Sequence, residues 1–408
     1  MVTCRICNDN VTEFLDFGRQ PLSDAFRAPG ESRPEFFYRL AVGACAGCSM
    51  TQLVEEVPRE RMFHHDYPYR SSGSRTMREH FAATARRLMA EECRGEDPFV
   101  VEIGCNDGVL LRTVHAAGVR CLGVDPSSGV AEEARAEGVP ILGEFFEEES
   151  AARIRKAEGT AQLVYSANTI CHIPYLDSVL RGVDTLLAPG GVFVFEDPYL
   201  GDILRRVSFD QIYDEHFYFF TATSVQAMAH RFGFRLVRVE RLPVHGGEVR
   251  YFLARAGERT PDASVAELLE EERRERVGEP DRLRAFAEQV AAVRTELREL
   301  LTRLRDEGKR VVAYGATAKS ATVANYCGIG PDLVEFVCDT TPEKQGRLTP
   351  GSHIPVRPHE AFASPAYPDY ALLFAWNHAE EIMAKETAFR ASGGRWITYV
   401  PDVKVIRP

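Results

Sequence analysis

Val100-Val101-Glu102-Ile103-Gly104-Cys105-Asn106-Asp107-Gly108 reads as a buried strand that runs into a glycine turn and opens a helix. In a doubly wound α/β sheet, such a turn presents backbone N–H groups and a helix N-terminus to a nucleotide-like ligand. The glycine spacing selects among such ligands. A dinucleotide turn needs G-x-G-x-x-G so that backbone can approach a pyrophosphate closely. Here Asn106 takes the second glycine position and the next glycine is Gly108. A pyrophosphate is disfavoured. S-adenosylmethionine (SAM), an adenosine ligand without phosphate, fits better. Taken alone, the turn is compatible with any βα unit.

The pattern continues outward from this turn. A helix from about Met77 leads into the opening strand, and Arg120 to Asp125 forms a second strand that ends in an acid. A carboxylate there suits the two ribose hydroxyls. Pro140 to Phe146 reads as a third strand at the sheet edge, with Phe145 and Phe146 placed to sandwich an adenine. Leu163 to Asn168 is a fourth strand. Leu186 to Asp197 gives a helix end, a turn and a fifth strand. Strands alternating with helices imply a mostly parallel sheet, whose ligands sit beyond the strand C-termini. The expected cofactor residues are therefore Glu102, Gly104, Asn106, Gly108, Asp125, Phe145, Phe146 and Asn168.

The chain has 408 residues, so two or three domains are expected. Its 45% hydrophobic and 27% charged content is that of a globular protein. Met1-Val2-Thr3-Cys4-Arg5 lacks the apolar stretch of a signal peptide, and no run approaches 18 apolar residues. A net charge of −11 argues against nucleic-acid or anionic-membrane partners. A cytoplasmic protein, monomeric or weakly self-associating, is expected. Its ten cysteines do not make a disulfide framework in so long a chain. Six are scattered and read as small core residues.

The other four are paired. Cys4-x-x-Cys7 and Cys45-x-x-Cys48 are two knuckles that together supply four thiolates for one zinc ion. With every position filled by protein, the metal is expected to be structural. Phe14, Phe17, Leu22, Phe26, Phe36 and Phe37 lie between the pairs and suffice for a small sheet. The loop from His64 to Ser74 follows. Its Tyr67 and Tyr69 face a sugar on one reading, and on the other the loop is a linker packed on the next domain.

The chemistry is expected in the stretch Phe209 to Phe220, where Tyr213, Glu215 and His216 sit among aromatics. Tyr213 and His216 are three apart, which makes them neighbours if this is a turn of helix. Desolvation by the aromatics is expected to bring His216 near its working range as a base. The plainer alternative is a core histidine. His245-Gly246-Gly247 lets backbone approach a ligand closely, although a hairpin turn explains the glycines too.

From Ala263 to Glu307 the chain is charged and helical. Leu283, Phe286, Val290, Val293, Leu297, Leu300 and Leu304 form one apolar stripe, expected to pack on its own domain. Arg310 to Ser320 is then a strand opening a helix, and Val334 to Asp339 is the next strand. Lys344-Gln345-Gly346 and Ala371 to His378 follow. This reads as a second, smaller α/β (Rossmann-like) domain for a nucleoside diphosphate. Its expected contacts are Gly315, Thr317, Lys319, Ser320, Asp339 and Asn377, with a solvated Lys319 as the alternative. The domains are expected at 1–76, 77–258 and 259–408.

Together these blocks resemble the sugar C-methyltransferases of antibiotic deoxysugar biosynthesis. The resemblance runs through the four cysteines, Glu102 to Gly108, Ala167-Asn168 with His172-Ile173-Pro174, Tyr213 to His216, His245-Gly246-Gly247 and Tyr314 to Ser320. It implies a zinc domain, a SAM domain and a C-terminal domain for the nucleotide of a TDP-linked 4-keto deoxysugar. It also implies that Tyr213 and His216 are the catalytic pair with Glu215 beside them, and that Tyr67 or Tyr69 is a further active-site tyrosine. O- or N-methylation, a nicotinamide-dependent sugar oxidoreductase and a silent nucleotide-sugar binding module are the competing readings.

Overall fold

The computed structural model describes residues 2–65 and 67–406. Its centre is a seven-stranded sheet in the order Phe234–Leu242, Glu248–Arg255, Leu187–Pro198, Ala161–Ala167, Phe99–Ile103, Arg120–Val124 and Ile141–Leu142. The five strands from Leu187–Pro198 onward are parallel. Glu248–Arg255 runs antiparallel to both its neighbours. Phe99–Ile103 is buried along its whole length, so its apolar run need not alternate. The helix before it, Arg75–Glu92, begins where the Ser74 side chain accepts the Met77 N–H at 3.1 Å. Met77, Phe81, Ala85 and Leu88 recur at helical spacing and form its buried face.

The third strand is shorter than expected. Only Ile141–Leu142 pairs with the sheet. The Glu144 N–H turns back to the Leu142 carbonyl at 3.1 Å and carries the chain away, so Phe145 and Phe146 sit in a loop. The stretch around His216 is likewise no α-helix. A short 3-10 turn, Phe209–Gln211, leads through a turn to the strand Tyr218–Phe219, which pairs antiparallel with Thr51–Leu53. That pairing holds Tyr218–Phe219 in extended backbone, while the His216 N–H closes a turn on the Tyr213 carbonyl at 3.2 Å.

Thr51–Leu53 belongs to the N-terminal sheet, ordered Val2–Thr3, Asn10–Pro21, Phe37–Cys45, Thr51–Leu53, Tyr218–Phe219 and antiparallel throughout. Its last strand is thus lent by the segment that carries His216. The C-terminal sheet is ordered Val356–Arg357, Val337–Cys338, Val311–Tyr314, Tyr370–Leu373, Arg395–Thr398, Lys404–Ile406, with only the last strand antiparallel.

The apolar stripe does more than cover its own domain. Helix Pro280–Asp306 packs on Val311–Tyr314 and also on the N-terminal strand Asn10–Pro21. Phe17 of that strand lies edge-on to Tyr326 at 4.9 Å and stacks with Phe209 at 6.2 Å. One core therefore joins three segments of sequence. Each large side chain buried in it contributes about 1.5–3 kcal/mol. Among the described residues, no helix is long and apolar enough to cross a membrane.

Strand order reverses between Phe99–Ile103 and Ala161–Ala167, and again between Val311–Tyr314 and Tyr370–Leu373. A crevice opens at the C-terminal ends of strands at each such reversal. Here the two crevices open into one cavity.

Candidate active site

The shared cavity encloses about 670 Å³. At one end is the opening turn. Gly104, Asn106 and Gly108 have φ of 69°, 50° and 74°, a left-handed backbone that glycine adopts freely and asparagine tolerates. A Cβ on Gly104 would lie 2.2 Å from Thr169 Oγ1. Gly104→Ala is therefore expected to cost at least about 1–3 kcal/mol. A thermal melt and a SAM titration check it, and a variant with unchanged melting and affinity would refute the close fit.

The Asn106 N–H donates to Asp125 Oδ2 at 2.8 Å, and the Ser127 N–H to Asp125 Oδ1 at 2.8 Å. The Asn106 side chain accepts from the Ser71 N–H at 2.9 Å and donates to the Tyr69 carbonyl at 3.2 Å. Asp107 accepts from the Ser72 N–H at 3.1 Å. The turn thus holds the Tyr69–Ser72 segment beside the cavity. Gly104, Asn106, Asp125, Phe145, Phe146 and Asn168 all line this end.

Glu102 and Gly108 do not line it. Glu102 is buried in its strand, and burial, then Asp107 and Asp125, push its carboxyl well up. Gly108 starts helix Val109–Ala116, and a Cβ there would meet Ala134 at 2.9 Å. Nor do the two phenylalanines form a sandwich. Phe146 packs into the core against Gly182. One face of Phe145 is covered by the Arg59 guanidinium at 4.1 Å.

At the centre, Tyr213 Oη lies 3.0 Å from His216 Nε2. His216 Nδ1 is 2.7 Å from the Gln211 carbonyl. A carbonyl only accepts, so Nδ1 carries the proton and the Nε2 lone pair takes the Tyr213 O–H. Burial pushes His216 well below the usual histidine value, which corrects the expectation of a base poised near neutrality. His172 stacks on His216 at 5.3 Å, with Phe63 on its other side at 5.6 Å. The Tyr67 hydroxyl donates to Glu215 Oε2 at 3.0 Å. Burial, then Asp24 and Asp214, push Glu215 well up. Tyr67 and Tyr69 both line the cavity, and Tyr67 is the one tied to Glu215.

His172 is pushed down to about 3 by burial, and its Nε2 has no hydrogen-bond partner among the described residues. An imidazole with a folded pKa below its unfolded value binds protons mainly when unfolded. Its stabilising share is complete above about pH 6.5 and is lost as pH falls toward 3. The melting temperature of His172→Gln should fall less steeply over that window than that of the parent. Parallel slopes would count against this.

At the far end, Thr317, Lys319, Asp339 and Asn377 line the cavity, with His245 opposite. Lys319 Nζ donates to the His245 carbonyl at 3.2 Å, so this lysine is not simply solvated. Burial pushes Lys319 down, with Asp210 and Glu248 opposing. Gly246, Gly315 and Ser320 serve the frame instead. Gly246 presses on Trp376 and Gly315 on Ala375, leaving no room for a Cβ. The Ser320 hydroxyl turns back to the Thr317 carbonyl at 2.5 Å. Asp339 Oδ2 accepts the Ala316 N–H at 2.7 Å.

Sequence reasoning missed Asp24, Arg59, Gln211, His172 and Lys344 as lining residues. Gln211, His172 and Lys344 stood in motifs already singled out. Asp24 and Arg59 carried no local signal, because each reaches the cavity from the N-terminal segment.

In the N-terminal sheet, Cys4 Sγ lies 3.5 Å from Cys48 Sγ and Cys7 Sγ 3.3 Å from Cys45 Sγ, with all four sulfurs within 4.8 Å of one another. A tetrahedral zinc with bonds of about 2.3 Å needs sulfurs about 3.8 Å apart, so the cage fits the ion. The Ile6 N–H points at Cys4 Sγ at 3.4 Å, as a metal-binding knuckle requires.

Three family models match in series: "Putative zinc binding domain" over residues 4–63, "Methyltransferase domain" over 74–239 and "C-methyltransferase C-terminal domain" over 243–401. The C-methyltransferase NovU of Streptomyces niveus is 35% identical over 406 residues, covering 99% of this chain and 96% of that protein. The chain belongs to the C-methyltransferase family. It is a SAM-dependent C-methyltransferase with a four-cysteine zinc site. Solved structures resemble it more distantly. Magnesium protoporphyrin IX methyltransferase of Synechocystis PCC 6803 has 13% identity and a TM-score of 0.34, covering 44% of this chain and 83% of its own. The PH0226 protein of Pyrococcus horikoshii OT3 has 18% identity and a TM-score of 0.37, covering 48% and 98%.

Proposed function

We propose that this methyltransferase places a methyl group on the carbon beside the ketone of a TDP-linked 4-keto deoxysugar, with C3 as the acceptor, as a cytoplasmic step of antibiotic deoxysugar biosynthesis. The observation that carries the reading is the Tyr213–His216 pair, set between two sheet crevices that open into one cavity. SAM supplies an electrophilic methyl group held at the Gly104–Asp125 end. Asp125 suits its ribose, and Asn168 lines the same end of the cavity.

The work left to the chain is to make a carbanion equivalent. Tyr213 turns its O–H from His216 Nε2 to the ketone oxygen, which frees the Nε2 lone pair for the proton on the neighbouring carbon. Gln211 holds the imidazole in the tautomer this needs. A base pushed so far down is weak, so the hydrogen bond from Tyr213 to the enolate oxygen supplies part of the drive, while the Tyr67 hydroxyl stays on Glu215. Thr317, Lys319 and Asn377 seat the nucleotide diphosphate at the far end.

The test incubates the protein with SAM and a panel of TDP-4-keto deoxysugars and reads product mass and carbon position. One methyl on carbon is expected. Deuterium should also wash into that position without SAM. Methylation on oxygen or nitrogen with no exchange would overturn the reading.

A further inference from the structure

We propose that Asp24, contributed by the zinc-bearing N-terminal sheet, accepts a hydrogen bond from a hydroxyl group on the sugar ring and so determines which keto sugars are methylated. The inference rests on the keto-sugar reading above and deepens it.

Asp24 follows the strand Asn10–Pro21 in a loop tied directly to the catalytic turn. The Ser23 N–H donates to Asp214 Oδ1 at 3.0 Å, and Asp214 lies between Tyr213 and Glu215 in sequence. The Phe26 N–H donates to the Asp24 carbonyl at 2.9 Å and tightens the same loop. The Asp24 side chain lines the cavity alongside Tyr67, Tyr213 and Glu215.

Its carboxylate is held by charge and not by hydrogen bonds. Oδ1 is buried and has no hydrogen-bond partner among the described residues. Lys344 Nζ stands 3.5 Å away. That lysine already donates to the Ala316 carbonyl at 2.9 Å and rests 4.9 Å over the Phe26 ring, so Asp24 is not what holds it. A carboxylate oxygen kept from water without a donor is costly. Oδ1 is the oxygen turned to Lys344, but the side chain keeps 14% exposure at the cavity wall, so a ligand O–H is the donor that the other oxygen can take. Of the other carboxyls that line the cavity, Glu215 already takes the Tyr67 hydroxyl, and Asp339 already takes the Ala316 and Thr341 N–H groups.

The donor comes from the sugar. A ketone has none. The hydroxyls of an adenosine ligand belong at the Asp125 end, whereas Asp24 faces the reacting centre and Lys344 of the C-terminal domain. A ring hydroxyl near the acceptor carbon is the group that reaches both the catalytic turn and Asp24.

The test compares two TDP-4-keto sugars that differ only by one ring hydroxyl, using the zinc-loaded full chain with SAM. The parent should prefer the hydroxylated sugar in kcat/KM. Asp24→Asn and Asp24→Ala should each reduce that preference by about 10- to 100-fold, chiefly through KM. Lys344→Met, which breaks the ion pair but keeps the carboxylate, should retain the preference. If the Asp24 variants lose activity equally on both sugars, or match Lys344→Met, the ion pair is merely structural and the proposal fails. If the parent methylates neither sugar, the keto-sugar reading fails first, and that outcome is separately visible.

Discussion

His216→Asn is expected to lower methyl transfer by about a hundred- to ten-thousand-fold and to stop deuterium exchange in step. Asparagine keeps an amide N–H near the position of Nδ1, so the contact with the Gln211 carbonyl can persist. It has nothing at Nε2, the atom that faces Tyr213. SAM binding should be unchanged, because the residues proposed to hold the cofactor belong to the Gly104–Asp125 end. Exchange and transfer at parental rates would end the assignment of His216 as the base. The pH profile adds an independent check. Since burial pushes His216 and His172 below the usual histidine value, the base proposed here is expected to be unprotonated at neutral pH. The parent kcat/KM should therefore be level from pH 8 down through 6.5. An acid limb centred near 6.5 would contradict a buried base.

The second large effect is expected from the metal. Removing zinc with a chelator, or replacing Cys45 with Ser, should lower the melting temperature by more than about 10 °C. Structural zinc contributes about 10–16 kcal/mol in small domains, and a domain of 150–250 residues loses about 2–4 °C per kcal/mol. Activity should disappear with it, although no cysteine of the cage lines the cavity. The route is geometric. The zinc-bearing sheet pairs with Tyr218–Phe219, next to His216, and its Ser23 N–H holds Asp214. A collapsed sheet would release the Tyr213–His216 turn on two sides. Parent-level activity in a demonstrably zinc-free chain would refute this coupling. One zinc per chain, measured by elemental analysis, is the baseline.

Local patterns carried much of this molecule. The strand and turn from Val100 to Gly108, the alternation after it and the two cysteine knuckles are short-range features, because burial, left-handed turns and metal cages are set by residues a few positions apart. The pairing of Tyr213 with His216 was legible for the same reason, although the turn that achieves it is not a helix. Strand lengths were less legible. Whether Phe145 continues a strand depends on whether a neighbour exists to pair with it, and the Gly143-Glu144 turn ends the pairing first.

The tautomer and depressed basicity of His216 were beyond sequence reading. They depend on a carbonyl five residues earlier and on a burial that the whole aromatic cluster creates. Asp24 shows the same limit at longer range, since no pattern near residue 24 announces a partner at residue 344. By itself, then, the sequence determined the class of each domain, the zinc cage, the glycine turn after Ile103 and the pairing of Tyr213 with His216. Only the tertiary structure decided that the two crevices share one cavity and that the zinc sheet reaches into it. It also turned Glu102, Gly108, Gly246, Gly315 and Ser320 away from the cavity. The reason is physical: periodicity and spacing report which face of an element is buried, whereas a site is made by which elements meet.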